Sequence, residues 1–186
     1  MKGDAVSPQL AGEIQPGLTF PWGAEFRYLE QWNRFSISGN TTEAGGLTAA
    51  KFRLRNPPGS NVVGVVERLV IQSSLLGDTI FVAQGPIAGD LSTLSTPQRL
   101  DARIQAASGV LIPSSFTSGG PDSPQIGRYK IGAANTMYEQ IFDWIQEFTL
   151  LPGDGLGLSS ATVTAGTELG WWLIWRERFL EESERT

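Results

Sequence analysis

The residues able to carry chemistry in this chain are few, and all are carboxylates. Glu139, Asp143 and Glu147 recur at intervals of four, while Glu30, Glu67, Asp101 and Glu177 fall in strand-like segments. Two such acids facing each other across a cleft would supply the acid and base of glycoside hydrolysis. The chain has no histidine and no cysteine. That excludes a Ser-His-Asp triad, a cysteine nucleophile, and metal sites built on imidazole or thiolate. Several of the acids stand beside arginines, as in Glu67-Arg68 and Arg176-Glu177-Arg178. On strands that arrangement fits cross-strand ion pairs better than catalysis. The expectation is therefore a protein without enzymatic activity, and with no catalytic residue, metal or cofactor.

Two acids lie in glycine turns, Gly77-Asp78 and Gly153-Asp154-Gly155. A calcium loop needs several oxygen ligands at fixed offsets, whereas a turn alone accounts for Gly and Asp. The densest cations are Lys51, Arg53 and Arg55, alternating with Phe52 and Leu54. This alternation predicts a strand with Phe52 and Leu54 inside and the cations facing solvent. With a net charge of −5 and the other cations scattered singly, no nucleic-acid partner is expected. Most of the six tryptophans lie in periodic segments, which favours core or subunit interface over stacking on sugars.

The elements that must position these residues are strands. With 40% hydrophobic residues in 186, one core of ordinary size can be buried. The 22 glycines and 11 prolines suit short strands joined by turns, because both residues destabilise helix interiors. In 169–180, Leu169, Trp171, Leu173, Trp175, Glu177 and Phe179 share one face, and Trp172, Ile174, Arg176, Arg178 and Leu180 the other. A strand apolar on both faces at its start predicts a central position in a sheet. Further strands are predicted at 25–38, 51–55, 62–73, 79–83, 99–105, 125–131, 143–151 and 156–160. The pair 62–73 and 79–83 reads as a hairpin around Gly77-Asp78. Residues 38–46 read as a loop, and 133–142 fits either helix or strand. Residues 85–124 read mostly as loops, broken at Gly85-Pro86, Ile112-Pro113 and Gly119-Gly120-Pro121.

The fold expected is all-β, a jelly roll or related antiparallel β-sandwich, with a barrel as the alternative. It divides into an extended N-terminal arm at 1–23, a sandwich at 24–180 and an acidic tail at 181–186. The arm is interrupted by Pro8, Pro16 and Pro21 yet carries Leu10, Ile14, Leu18, Phe20 and Trp22. Five such side chains predict an interface, either with the arm's own domain or with a neighbouring subunit. Apolar residues on both faces of 62–71 and 169–175 predict a homo-oligomer, a trimer or larger ring. No run approaches the length of a membrane span, and residues 1–22 lack the charged start and apolar core of a signal peptide. No membrane partner is expected.

The closing pattern runs from the turn Leu151-Pro152-Gly153-Asp154 to Trp172-Leu173-Ile174-Trp175-Arg176-Glu177-Arg178. It resembles the end of small virion structural proteins of tailed bacteriophages. Val65-Val66-Glu67-Arg68-Leu69-Val70-Ile71 and Leu100-Asp101-Ala102-Arg103 fit the same resemblance. It implies a jelly-roll capsid cement, decoration or head-fibre protein, commonly trimeric, made in the host cytoplasm and located in the virion. The implied partners are itself and the major capsid protein or another virion protein. A receptor- or glycan-binding fibre module is the alternative, and no functional residue follows from the resemblance.

Overall fold

The computed structural model of the chain describes residues 33–45, 48–86, 96–100, 110–120, 122–141, 148–161 and 165–180. The arm at 1–23 with Leu10, Ile14, Leu18, Phe20 and Trp22, the tail at 181–186, and Glu30, Asp101, Asp143, Trp144 and Glu147 lie outside them.

The described residues form eleven strands and no helix. In chain order they are β1 (Asn33–Thr42), β2 (Thr48–Arg55), β3 (Val62–Ser73), β4 (Thr79–Gly85), β5 (Gln98–Arg99), β6 (Ile112–Gly119), β7 (Gln125–Lys130), β8 (Tyr138–Ile141), β9 (Phe148–Leu150), β10 (Gly155–Ser160) and β11 (Glu168–Phe179). One sheet has the order β5-β1-β11-β3-β8, with β9 also on β3, and the other β6-β2-β10-β4-β7. Every pairing is antiparallel. The first four strands alternate between sheets, and β1/β11, β2/β10, β3/β8 and β4/β7 pair as the two arms of one folded ribbon. That winding is the jelly-roll order, a sandwich of two antiparallel sheets.

The core follows from the inner faces. Phe35, Ile37, Leu69, Ile71, Leu173 and Trp175 of the first sheet meet Phe52, Leu54, Ile80, Val82, Leu156 and Leu158 of the second. The Trp171 ring stacks on Phe52 at 4.9 Å between centroids, one aromatic from each sheet, and Trp175 stacks on Phe35 at 5.8 Å. Contacts of this kind add to the burial of two large side chains. β11 lies between β1 and β3 over almost its whole length, the central position expected from its two apolar faces. The outward Val63, Val65, Val70 and Ile174 are buried too. The apolar surplus of β3 and β11 is thus already covered within one chain, so it does not by itself call for a sister subunit.

Several expectations are corrected. β3 and β4 are not a hairpin: β3 pairs with β11, β8 and β9, and β4 with β10 and β7. The turn at Gly77, with φ at +80°, carries the chain from one sheet to the other. β1 runs on to Thr42 rather than ending at Ser38, because β11 extends to Glu168 and supplies ladder partners. Gly39 is needed in that extension, since a Cβ there would lie 3.0 Å from the Trp171 ring. Residues 112–119, read as broken loop, are β6 at the edge of the second sheet. Pro113 is tolerated there because an edge strand has a side with no ladder to disrupt. Of 133–142, residues 138–141 are strand.

Trp175 is fully buried, so Trp175→Ala is expected to cost about 3–5 kcal/mol, read as a lowered urea midpoint. Gly64→Ala tests the packing from the opposite direction. Its Cβ would sit 2.5 Å from Cδ2 of Leu111, itself fully buried, so a loss of about 1–3 kcal/mol is expected.

Candidate functional site

The sequence places β6 and β7 in succession, yet they occupy opposite edges of the second sheet. The connection must therefore cross the sheet's outer face. Four strand spacings are about 19 Å, and the six steps from Gly119 to Gln125 reach about 20 Å when extended. Little slack remains. Asp122 lies on this crossing and is buried over β2. Its carboxylate accepts hydrogen bonds from Lys51 Nζ at 2.9 Å, from Arg53 Nε at 2.8 Å and from Arg53 Nη2 at 2.5 Å. Its backbone N–H donates to Ser159 Oγ on β10 at 3.3 Å. The Phe116 ring of β6 faces the Arg53 guanidinium at 4.7 Å, a favourable contact for a desolvated cation.

This corrects the expected solvent face of β2: Lys51 and Arg53 are 3% and 8% exposed. Burial pushes the Asp122 carboxyl up, but the hydrogen bonds and charges of Arg53 and Lys51 outweigh it and hold the group below its ordinary range. No expectation drawn from the sequence falls on Asp122. Its signal was compositional, a lone acid in a Gly/Pro/Ser-rich connection, with two cations alternating with core residues elsewhere.

On the outer face of the first sheet, the register of β3 against β11 shifts at Ile174/Trp175. The bulge brings Glu67 beside Arg176 of β11 and Arg34 of β1. Glu67 accepts from Arg34 Nε at 2.7 Å and from Arg176 Nη1 at 3.0 Å, the cross-strand pairing expected of it. Glu177 behaves differently from that expectation. It points inward and accepts from Trp175 Nε1 at 2.7 Å, Val110 N at 2.7 Å and Leu111 N at 3.1 Å. Burial raises its carboxyl against the pull of those three donors. Glu67 and Glu177 thus occupy opposite faces of one sheet and cannot flank one substrate. Glu139 pairs with Arg68 at the surface.

Further buried polar groups tie connections to strands. Glu43 accepts from Ala50 N at 2.5 Å, joining the β1–β2 turn to β2. Burial raises its carboxyl, opposed by the Ala50 and Thr48 hydrogen bonds and aided by the charge of Asp78. Asp78 accepts from Ser73 Oγ at 2.8 Å, Ser160 Oγ at 2.9 Å and its neighbour Thr79 N at 2.7 Å. Asn56 donates to the carbonyls of Val62 and Leu150, both at 2.8 Å. Asp78 and Asp154 sit in turns as expected, and no group of three acidic side chains suited to a metal converges among the described residues.

One open cleft of about 340 Å³ lies on the first sheet, lined by Ser38, Gly39, Val70, Gln72, Gly170 and Trp172 among others, with Met137 also lining it. It exists because Gly170 leaves a gap between the side chains of its neighbours. Trp172 donates from Nε1 to Ser36 Oγ at 2.8 Å, and the Arg68 guanidinium lies 4.5 Å from its ring centroid. The volume lies at the small end of ligand sites.

No protein-family model matches the chain, and no curated protein sequence matches it. Among solved structures, the chain is similar to T=1 particles derived from infectious bursal virus at 11% identity, with a TM-score of 0.15, covering 81% of this chain and 41% of that one. It is similar to the Gx strain of infectious bursal disease virus at 13% identity, with a TM-score of 0.15, covering 82% and 43%. The chain spans less than half the length of both. Likeness of this size carries no argument about function.

Asp122→Asn is expected to lower stability at neutral pH by about 3–5 kcal/mol, because it leaves two buried cations without a counter-charge. A group whose carboxyl is held low in the folded state contributes stability above its ordinary pKa and loses it as pH falls through the folded value. The gap between wild type and variant, read by urea denaturation at several pH values, should therefore close on acidification below the ordinary aspartate value of 3.8. Glu43 and Glu177 carry the opposite sign. Their raised carboxyls cost stability when charged, and that cost is relieved as pH falls through their folded values.

Proposed function

We propose that the chain is a virion structural protein without enzymatic activity, a capsid cement or decoration subunit acting as a homo-oligomer, a trimer, on the capsid shell. The observation that carries this reading is the role of the described charges on a jelly-roll frame. Glu67, Glu139 and Glu177, which the sequence offered for acid-base work, are each tied to a cation or to backbone N–H groups. What the frame offers outward is adhesive surface at both ends. At one end Leu76 and Met137 are 65% and 70% exposed, and at the other Leu151 and Phe179 are 51% and 62% exposed. Apolar side chains presented on loops and at a strand end in this way support burial against sister subunits and a shell, where a stable contact covers roughly 1,000 Å² or more. The arm at 1–23, with Leu10, Ile14, Leu18, Phe20 and Trp22, is proposed to clamp a neighbour.

The cleft beside Trp172 favours a second reading, a receptor- or glycan-binding module, because it sets an aromatic edge among the polar side chains of Ser38 and Gln72.

Light scattering at micromolar concentration should give a multiple of the chain mass, and deletion of residues 1–22 should weaken co-sedimentation with capsid shells of the source virus while leaving the melting curve in place. A monomer that also fails to bind shells contradicts the proposal. Trp172→Ala separates the two readings: unchanged shell binding supports the cement role, and selective loss of glycan-array binding supports the other.

A further inference from the structure

We infer that the free edge of β7 is a docking site for an extended, acidic strand of a partner protein, which adds to the second sheet beside Arg128 and Lys130. The inference does not depend on the virion reading.

β7 is the last strand of its sheet and pairs only with β4 among the described residues. Of its six residues only Tyr129 is half-buried, and the other five are exposed. The opposite edge strand, β6, is mostly buried or half-buried. In the first sheet, the edge strands are two to four residues long. Among the described residues, β7 therefore presents a run of backbone N–H and C=O groups on the side away from β4 that no other strand pairs, which is the template that strand addition uses.

The side chains select the partner. Arg128 and Lys130 lie two apart, so they share one face, opposite Phe81 and Thr79 of β4. Among the described residues, Arg34, Lys51, Arg53, Arg55, Arg68, Arg99, Arg176 and Arg178 all have a hydrogen bond, ion pair, ring contact or other electrostatic partner. Arg128 and Lys130 are the cations to which none is assigned. They form a positive edge on a chain of net charge −5. Pairing of β7 with its own copy about a twofold axis would set these cations against each other, and like charges across strands are destabilising. Two cations are also too few to hold a nucleic acid, whose binding requires several phosphates to be neutralised. A strand with carboxylates at alternate positions satisfies both the backbone edge and the charges. Ile126, 48% exposed on the same strand, offers that partner an apolar contact.

The test uses the full chain and two short capped peptides, one of alternating Glu and Val and one of alternating Lys and Val. Binding is read by fluorescence anisotropy and its position by amide hydrogen exchange. The Glu peptide should bind and slow exchange in β7, while the Lys peptide should not bind. The double variant R128E/K130E, at exposed positions and with an unchanged melting curve, should lose about tenfold in affinity for the Glu peptide and gain the Lys peptide. Equal binding of both peptides, protection on another strand, or no binding of the Glu peptide overturns the inference. So does a variant that merely self-associates while wild type binds neither peptide, because the cations then only guard the edge.

Discussion

The constraint on which the second sheet depends is the taut crossing between β6 and β7, held by one carboxylate between two buried cations. Moving Lys51, Arg53 and Asp122 out of water costs several kcal/mol per ion, and a buried ion pair is for that reason a poor source of net stability. What the cluster provides is a path. Asp122 meets Lys51 and Arg53 on β2 and Ser159 on β10, so the connection has one place to lie. The Phe116 ring brings the edge strand β6 to the same cations. Removing Asp122 leaves two buried cations without a counter-charge, whereas removing Lys51 or Arg53 leaves one ion pair in place, so the crossing depends on the carboxylate above all.

The same device recurs across the sandwich. Glu43 fixes the β1–β2 turn, Asp78 fixes the β3–β4 crossover to β10, and Glu177 holds Val110 and Leu111 just ahead of β6. Each acid satisfies donors that would otherwise be buried unpaired, a loss of about 1–3 kcal/mol apiece. Jelly-roll connections pass from sheet to sheet, so their backbone groups often fall beyond any ladder, and side chains must complete them. Glu43, Asp78, Asp122 and Glu177 are fasteners in this sense, while the ends and the β7 edge turn apolar and cationic side chains outward. In the function proposed above, the step from fold to function runs through those surfaces.

Much of the frame was legible in the sequence. Alternation placed Phe52 and Leu54 inside and grouped Leu169, Trp171, Leu173 and Trp175 on one face, and the two apolar faces of β11 placed it centrally, because side-chain period is a local property of a strand. Pairing is not local. The turn at Gly77-Asp78 looks the same whether it closes a hairpin or carries the chain between sheets, and only the partners of β3 and β4 decide. Lys51 and Arg53 were read as solvated for the same reason: alternation shows that they face away from Phe52, but not that Asp122 comes back over them from about seventy residues later. Pro113 hid β6, since a proline argues against a central strand and says nothing against an edge. The cleft at Gly170 was not foreseeable, because it is made by an absent side chain whose neighbours come from three strands.

The central claim, that the buried carboxylates are fasteners set by their local surroundings, is tested most directly by carbon-13 NMR titration of the side-chain carboxyls of the intact chain. Asp122 should titrate below the ordinary aspartate value, and Glu43 and Glu177 above the ordinary glutamate value, each in the direction set by its own burial and partners. Titration of all three at ordinary values would contradict it, because the groups would then be solvated and the latch, the turn fastener and the core hydrogen bonds would not exist as described.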